Sequence, residues 1–378
     1  MRYRVISADD HVSEASGTWV DRVPRNMRDK VPSVREIDGV STWTLNGQAL
    51  PRLAPPRNDG ELEARRAKGR FQTRPGDWDA KERLRDYDAD GVDAAALFPN
   101  FATFTGNPCP WVTTDKKIQL ECVKAYNDWL ADDFCAADRR RLIPLALIPS
   151  WDVDLAIAEA HRAARKGHRG MIFGAALDVF GYPATWDGYW NDFYATVEGL
   201  GVPLVLHQPS AALDRAIFHD PRSALPPPIR SAASINHVQS LMYPVVELLL
   251  SGILVRHPHL QVQFAESGAS WLLYTLHQCD YLWPRYGRSD GSELKMLPSE
   301  YFRRQCVAGF WSDVITRPLL KACGVDNLMW EGDYLHSIAT FPNSRQIINQ
   351  SLVDVADSAT RAKVLAGNAV RLYRLTED

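Results

Sequence analysis

Val5-Ile6-Ser7-Ala8-Asp9-Asp10-His11-Val12-Ser13-Glu14 is an apolar, strand-like run that ends in acids and an imidazole. Residues two apart in an extended strand leave the same face, so Asp9 and His11 point together. A carboxylate beside an imidazole at a strand end is half of a divalent-metal site. Three later runs end in matching chemistry: His207 in P-L-V-L-H-Q (203–208), Glu266 in Q-V-Q-F-A-E-S-G (261–268), and Asp333 in M-W-E-G-D-Y-L-H (329–336). The D-x-H string alone is common by chance. Four strand ends carrying such residues point to one shared site.

Between these runs the chain alternates strand and helix. With V-I-S-A-D as the first strand, the second is D-A-A-A-L-F-P-N (93–100) and the third R-L-I-P-L-A-L-I-P-S (141–150). R-G-M-I-F-G-A (169–175), V-P-L-V-L-H-Q-P (202–209) and L-Q-V-Q-F-A-E (260–266) follow as strands four to six. R-R-Q-C-V-A-G-F-W (303–311) and N-L-M-W-E-G-D (327–333) complete eight. Helices are expected over 117–134, after a capping Asp152, over 186–200 with Gly201 as the stop, and as one long element over 234–255. Eight strands separated by helices predict a closed (β/α)8 barrel, a TIM barrel, as a single domain over 1–378. A doubly wound open sheet is the alternative, but no G-x-G-x-x-G turn follows the first strand. Residues 20–80 break the rhythm and are expected as an insertion over the barrel mouth containing a β-hairpin. Residues 209–233 form a Pro/Ala-rich loop after His207, placed to serve as a lid or substrate wall.

The chain has 378 residues, 46% of them hydrophobic, and a net charge of −3. That core is ample, and the charge argues against a nucleic-acid binder, which needs a basic face. No apolar run is long enough to span a membrane. The start lacks the charged and apolar regions of a signal peptide, and the six cysteines include no C-x-x-C pair, so a reduced, cytoplasmic setting is expected. Cys306 reads as core and Cys109 as a loop residue.

In such a barrel the strands' carboxyl ends converge on one mouth. Asp9, His11, His207, Glu266 and Asp333 all fall there, and mixed imidazole and carboxylate donors suit Zn²⁺ or Mn²⁺. Each has a blander reading. Asp9 and Asp333 could be turn residues, Glu14 a helix N-terminal acid and His207 a satisfied core histidine; Glu266 would be costly in a core without a partner. His336, and His237 after the long loop, are the histidines placed to meet substrate. His161, His168, His257, His259 and His277 fall on helices or turns away from these ends.

The D-x-H-x-x-E start, the L-H-Q of strand five and H-P-H-L-Q-V-Q-F-A-E-S-G-A-S-W (257–271) resemble the amidohydrolase-related (amidohydrolase 2) family. So do W-E-G-D-Y-L-H-S-I-A-T-F-P, A-Y-N-D-W-L (125–130), R-L-I-P-L-A-L-I-P and the closing V-L-A-G-N-A-V-R-L-Y-R-L (364–375). The similarity runs from residue 5 to 374, except for 20–80. It is to the branch with aminocarboxymuconate semialdehyde decarboxylase and resorcylate-type decarboxylases. The resemblance implies a single divalent metal held by Asp9, His11, His207 and Asp333, with Glu14 behind them. Asp9 stands where many members have histidine. Glu266 stands where several decarboxylases carry a catalytic histidine.

The expected activity is therefore metal-dependent, non-oxidative decarboxylation of a small aromatic or unsaturated carboxylic acid, with Asp333, Glu266 and His207 as the catalytic set. The alternative is hydrolysis of an ester, amide, lactone or C–C bond by metal-activated water, with Glu266 or Asp333 as the base. A metal-free binding scaffold is the third reading, disfavoured by the intact donor set. The expected partners are a small-molecule substrate and a second copy in a homodimer, with no nucleic acid and no membrane.

Overall fold

The computed structural model of the chain describes residues 3–37, 40–49, 74–100, 115–207, 239–287, 291–334, 336 and 338–376. The first strand is β1 (Ile6–Val12), followed by a small antiparallel sheet of β2 (Ser33–Ile37), β3 (Val40–Leu45) and β4 (Gln48–Ala49). Then come β5 (Ala94–Pro99), β6 (Leu142–Pro144), β7 (Ala146–Leu147), β8 (Met171–Phe173) and β9 (Leu204–His207). The last are β10 (Val262–Ala265), β11 (Cys306–Phe310) and β12 (Leu328–Trp330).

All strands outside the small sheet pair in parallel, in the orders β1-β5-β6 and β7-β8-β9-β10-β11-β12. The two runs join at both ends. β6 and β7 are one expected strand interrupted at Leu145. Beyond β12, Asp333 N donates to Asp9 O at 2.8 Å, and His11 N donates to Tyr334 O at 3.2 Å. Eight strand positions thus close the expected barrel. The barrel strands are wholly buried and most are apolar without alternation, as in β5, Ala-Ala-Ala-Leu-Phe-Pro, because both sheet faces are covered. Deep in the ring, Gln263 Nε2 donates to Ala8 O at 2.9 Å, and Tyr373 Oη to Gln263 Oε1 at 2.5 Å.

Asp152 caps the helix Val153–Arg165 by accepting from Leu155 N at 3.0 Å, and Gly201, at φ 65°, stops Asn191–Leu200. The long helix expected over 234–255 is broken. It runs Met242–Leu250 and restarts as Ile253–Arg256, because Ser251 Oγ bonds back to Leu248 O and Gly252 adopts φ 79°. The helix Lys116–Trp129 widens into a π-turn over Leu130–Phe134. A helix at Ala80–Asp90, capped by Asp79, was not foreseen.

The hairpin expected inside 20–80 is present as β2 and β3, with Ser33 opposite Thr44. Residues 50–73 and the loop at 209–233 lie outside the described residues, as do His237 and Cys109. No described helix is long and apolar enough to cross a membrane.

Candidate metal centre

β1 reaches the site through an irregularity. Its pairing with β5 shifts register between Ser7 and Asp10, and this turns Asp9 and His11 into the mouth while Asp10 faces the wall. Asp9 Oδ1 lies 3.4 Å from His11 Nε2. The His11 Nδ1 sits 2.8 Å from Pro99 O at the end of β5, which assigns the proton to Nδ1 and presents Nε2 to the mouth.

His207 ends β9. Its Nε2 is 3.2 Å from Asp9 Oδ2 and 2.9 Å from Glu266 Oε2. Glu266 and Asp333 each stand just past a strand end, at φ 50° and 52°, in the left-handed region that non-glycine residues avoid at about 1–2 kcal/mol. Strain of this kind at two acids of one mouth is a mark of function. Asp333 Oδ1 is 3.5 Å from His11 Nε2 and 2.6 Å from His336 Nδ1, and the His336 ring lies 4.0 Å from that of His11. The donor atoms of Asp9, His11, His207 and Glu266 fall within 4.8 Å of one another, as do those of His11, Glu266, Asp333 and His336.

Burial dominates the electrostatics. It pushes the Asp9 carboxyl up to about 6 against the pull of the His207 imidazole. Asp333 is held well above the usual carboxylate range by burial, with the charges of Glu266 and Asp9 adding to it. Burial also acts upward on Glu266, but its bond to His207 and the imidazole charges outweigh it and keep Glu266 ionised. Desolvation opposes charge on His207, yet Asp9 and Glu266 raise it well above an ordinary histidine. His11 is depressed by burial and by its two imidazole neighbours. Among the described residues, no hydrogen-bond donor is found for either buried Asp9 oxygen or for buried Asp333 Oδ2. Orphaned carboxylate oxygens facing imidazole nitrogens are what a bound divalent cation would satisfy, so the donor set fits one.

The surrounding shell contains residues the sequence reading passed over. Arg83, fully buried on the unforeseen helix, donates from Nη2 to His11 O at 2.6 Å and from Nε to Gly76 O at 2.7 Å. Asp10 accepts from Ser7 Oγ at 2.7 Å, Tyr87 Oη at 2.6 Å and Tyr334 N at 3.1 Å. Glu331 Oε2 accepts from Glu266 N at 3.2 Å, and burial raises the Glu331 carboxyl well above its ordinary range. The available signals were the Arg83/Tyr87 spacing on one helical face and an acid between Trp330 and Gly332. Glu14 is buried but contributes no donor to either group. Phe310 and Trp330, at the ends of their strands, are wholly buried, and Cys306 is a core residue as expected.

A closed parallel barrel with carboxylates and imidazoles gathered at the strands' carboxyl ends defines a barrel enzyme with a candidate metal centre. The chain belongs to the amidohydrolase family, whose model matches residues 32–375. It is an enzyme of that superfamily. The match begins after Asp9 and His11, so those two join the site through geometry.

Among solved structures, an amidohydrolase from Mycobacterium avium subsp. paratuberculosis K-10 superposes with a TM-score of 0.77 at 16% identity, covering 99% of this chain and 100% of its own. The 5-carboxyvanillate decarboxylase of Sphingomonas paucimobilis gives 0.67 at 20% identity, covering 99% and 100%. A dihydroxybenzoic acid decarboxylase from Polaromonas sp. JS666, with bound manganese and the inhibitor 2-nitroresorcinol, gives 0.66 at 18% identity, covering 100% and 98%. At these identities the likeness is one of fold.

Proposed function

We propose that this protein is a metal-dependent carboxy-lyase that removes CO2, without oxidation, from a small aromatic or unsaturated carboxylic acid. The observation that carries this reading is the Asp333–His336 pair. Asp333 Oδ1 lies 2.6 Å from His336 Nδ1, and the His336 side chain, 23% exposed, is the edge of an otherwise buried cluster. Two of the similar folds belong to enzymes whose substrates are carboxylated aromatic acids.

Asp9, His11, His207 and Asp333 would hold the cation, zinc or manganese. When bound, it supplies Lewis-acid stabilisation of negative charge on substrate oxygens. Asp333, with one oxygen 2.6 Å from His336 Nδ1, relays a proton from that imidazole to the carbon that loses CO2. The electron pair of the broken C–C bond ends in the new C–H bond, and His336 returns a proton to Asp333. Glu266 stays ionised and holds His207 through the 2.9 Å contact. His336 also faces incoming substrate; the same role for His237 is a proposal from sequence alone.

One observation favours a second reading. Glu266 Oε2 lies 2.9 Å from His207 Nε2, a carboxylate–imidazole pair that can carry a proton away from water, the step that hydrolysis needs. The two are separated by incubating the metal-loaded protein with a panel of hydroxybenzoic acids and of their esters, amides and lactones in ¹⁸O-labelled water. The lyase reading expects CO2 release, dependent on added Zn²⁺ or Mn²⁺, with no label in the organic product. Label incorporated without CO2 release would overturn it in favour of hydrolysis.

A further inference from the structure

The amino ends of the barrel strands, opposite the donor cluster, carry a second concave site. It opens beside Pro203 and Gln261, just ahead of β9 and β10, and encloses about 290 Å³. Arg304, two residues ahead of β11, and Arg371 and Arg374, from the last helix (Asn368–Leu372) and the residues after it, converge on this cavity.

These three arginines are not neutralised as several others are. Arg74, Arg141, Arg162 and Arg256 each face a carboxylate. Arg304 instead donates to Gln305 Oε1 at 2.8 Å and to Leu254 O at 2.6 Å, and Arg371 to Asp326 O at 2.6 Å. Those acceptors are neutral. Among the described residues, no carboxylate lies within ion-pair distance of any of the three. Glu198, the one acid lining the cavity, accepts from His259 N at 2.6 Å and lies 3.8 Å from His257 Nδ1.

Backbone geometry adds an independent observation. Leu375 N bonds to Val370 O at 3.0 Å and Arg374 N to Arg371 O at 3.4 Å, the pattern that ends a helix on a left-handed residue. Glycine is the usual occupant, yet Arg374 takes the position at φ 51°. Its guanidinium crosses Gly201, where an added Cβ would come within 2.1 Å of Nη2. An arginine occupies a glycine position, and a glycine elsewhere leaves room for its side chain. The outcome is a guanidinium held at the cavity.

We propose that this cavity binds the phosphate group of a small soluble ligand. Three guanidinium forks against one carboxylate leave a surplus of positive charge that a dianionic phosphate matches better than a single carboxylate, and the planar fork suits paired phosphate oxygens.

Orthophosphate titrated into the metal-loaded full chain at constant ionic strength, read by calorimetry and thermal unfolding, tests this. Saturable one-site binding is expected, with a rise in Tm beyond that from potassium chloride. Arg304→Gln with Arg374→Gln should weaken binding about tenfold or more with unchanged metal content. Arg371→Gln, an exposed single change, should weaken it about threefold and decides the matter if the double variant misfolds. His207→Ala, in the donor cluster, should leave phosphate affinity unchanged. A phosphate effect no larger than that of chloride, equal affinity in the parent and Arg371→Gln, or loss of binding in His207→Ala would overturn the proposal.

Discussion

A methyl group at position 309 would meet Glu331 Oε1 at 1.7 Å. Gly309→Ala must therefore displace a buried carboxylate, and with it the acceptor that holds Glu266 N. The expected result is a loss of about 1–3 kcal/mol, read as a lower Tm, together with weaker metal retention after dialysis. Arg83 acts on the other side of the site through the carbonyl of His11. Arg83→Met should lower metal affinity about 10–100-fold, measured by competition with a chelator, while Arg83→Lys should recover only part, since an ammonium cannot serve Gly76 O, Tyr87 Oη and His11 O from one plane. These two residues also mark where sequence reading ends. Asp9, His11, His207, Glu266 and Asp333 were legible because an acid or imidazole closing an apolar run has no inexpensive place in a core. Arg83 and Glu331 were not, because their partners are backbone groups distant in the chain, and nothing local announces such a pairing.

Individual elements show the same division. The eight barrel strands were readable as apolar runs ended by Pro, Gly or a polar residue. The interruption at Leu145 was not: the chain changes strand partner there, from β5 to β8, and a neighbouring helix bonds to it just beyond. There Asn127 presents a side-chain amide to β7, donating to Leu147 O at 2.9 Å and accepting from Leu147 N at 2.8 Å. It replaces a strand partner with a side chain. Asn127→Ala would leave both buried backbone groups of Leu147 unsatisfied, and about 2–3 kcal/mol should be lost in urea unfolding. The break at Gly252 was hidden for a different reason: glycine inside an apolar helical pattern is tolerated often enough that periodicity alone extends the helix through it. The irregularity in β1 was equally silent, yet it separates the roles of adjacent Asp9 and Asp10.

For the whole molecule, acid stability should carry the mark of His168. This histidine is buried, with Nε2 3.0 Å from Asn127 O, and burial lowers it to about 4. Between pH 6.5 and 4 the unfolded chain binds a proton there that the native chain refuses. Stability therefore falls as pH drops through that window, on the order of 3 kcal/mol from this group, and levels below it. Unfolding free energies measured across the window should show that slope, and His168→Gln should remove it. A chelator should also lower the Tm by several degrees if the donor cluster holds its cation, because the ion binds only the folded chain.

The joint between β1 and the chain beyond β12 has a consequence in time. Gly332 N donates to Ser7 Oγ at 2.7 Å across 325 residues of sequence, and Asp9 and Asp333 meet on the same seam. During synthesis, the two earliest donors emerge long before the last can join them. A growing chain that has not yet reached Asp333 carries Asp9, His11, His207 and Glu266 on a ring whose seam is still open. The full donor set is thus assembled only once the seam at Asp333 is made, so a cation held by all of it would report that the circle is complete.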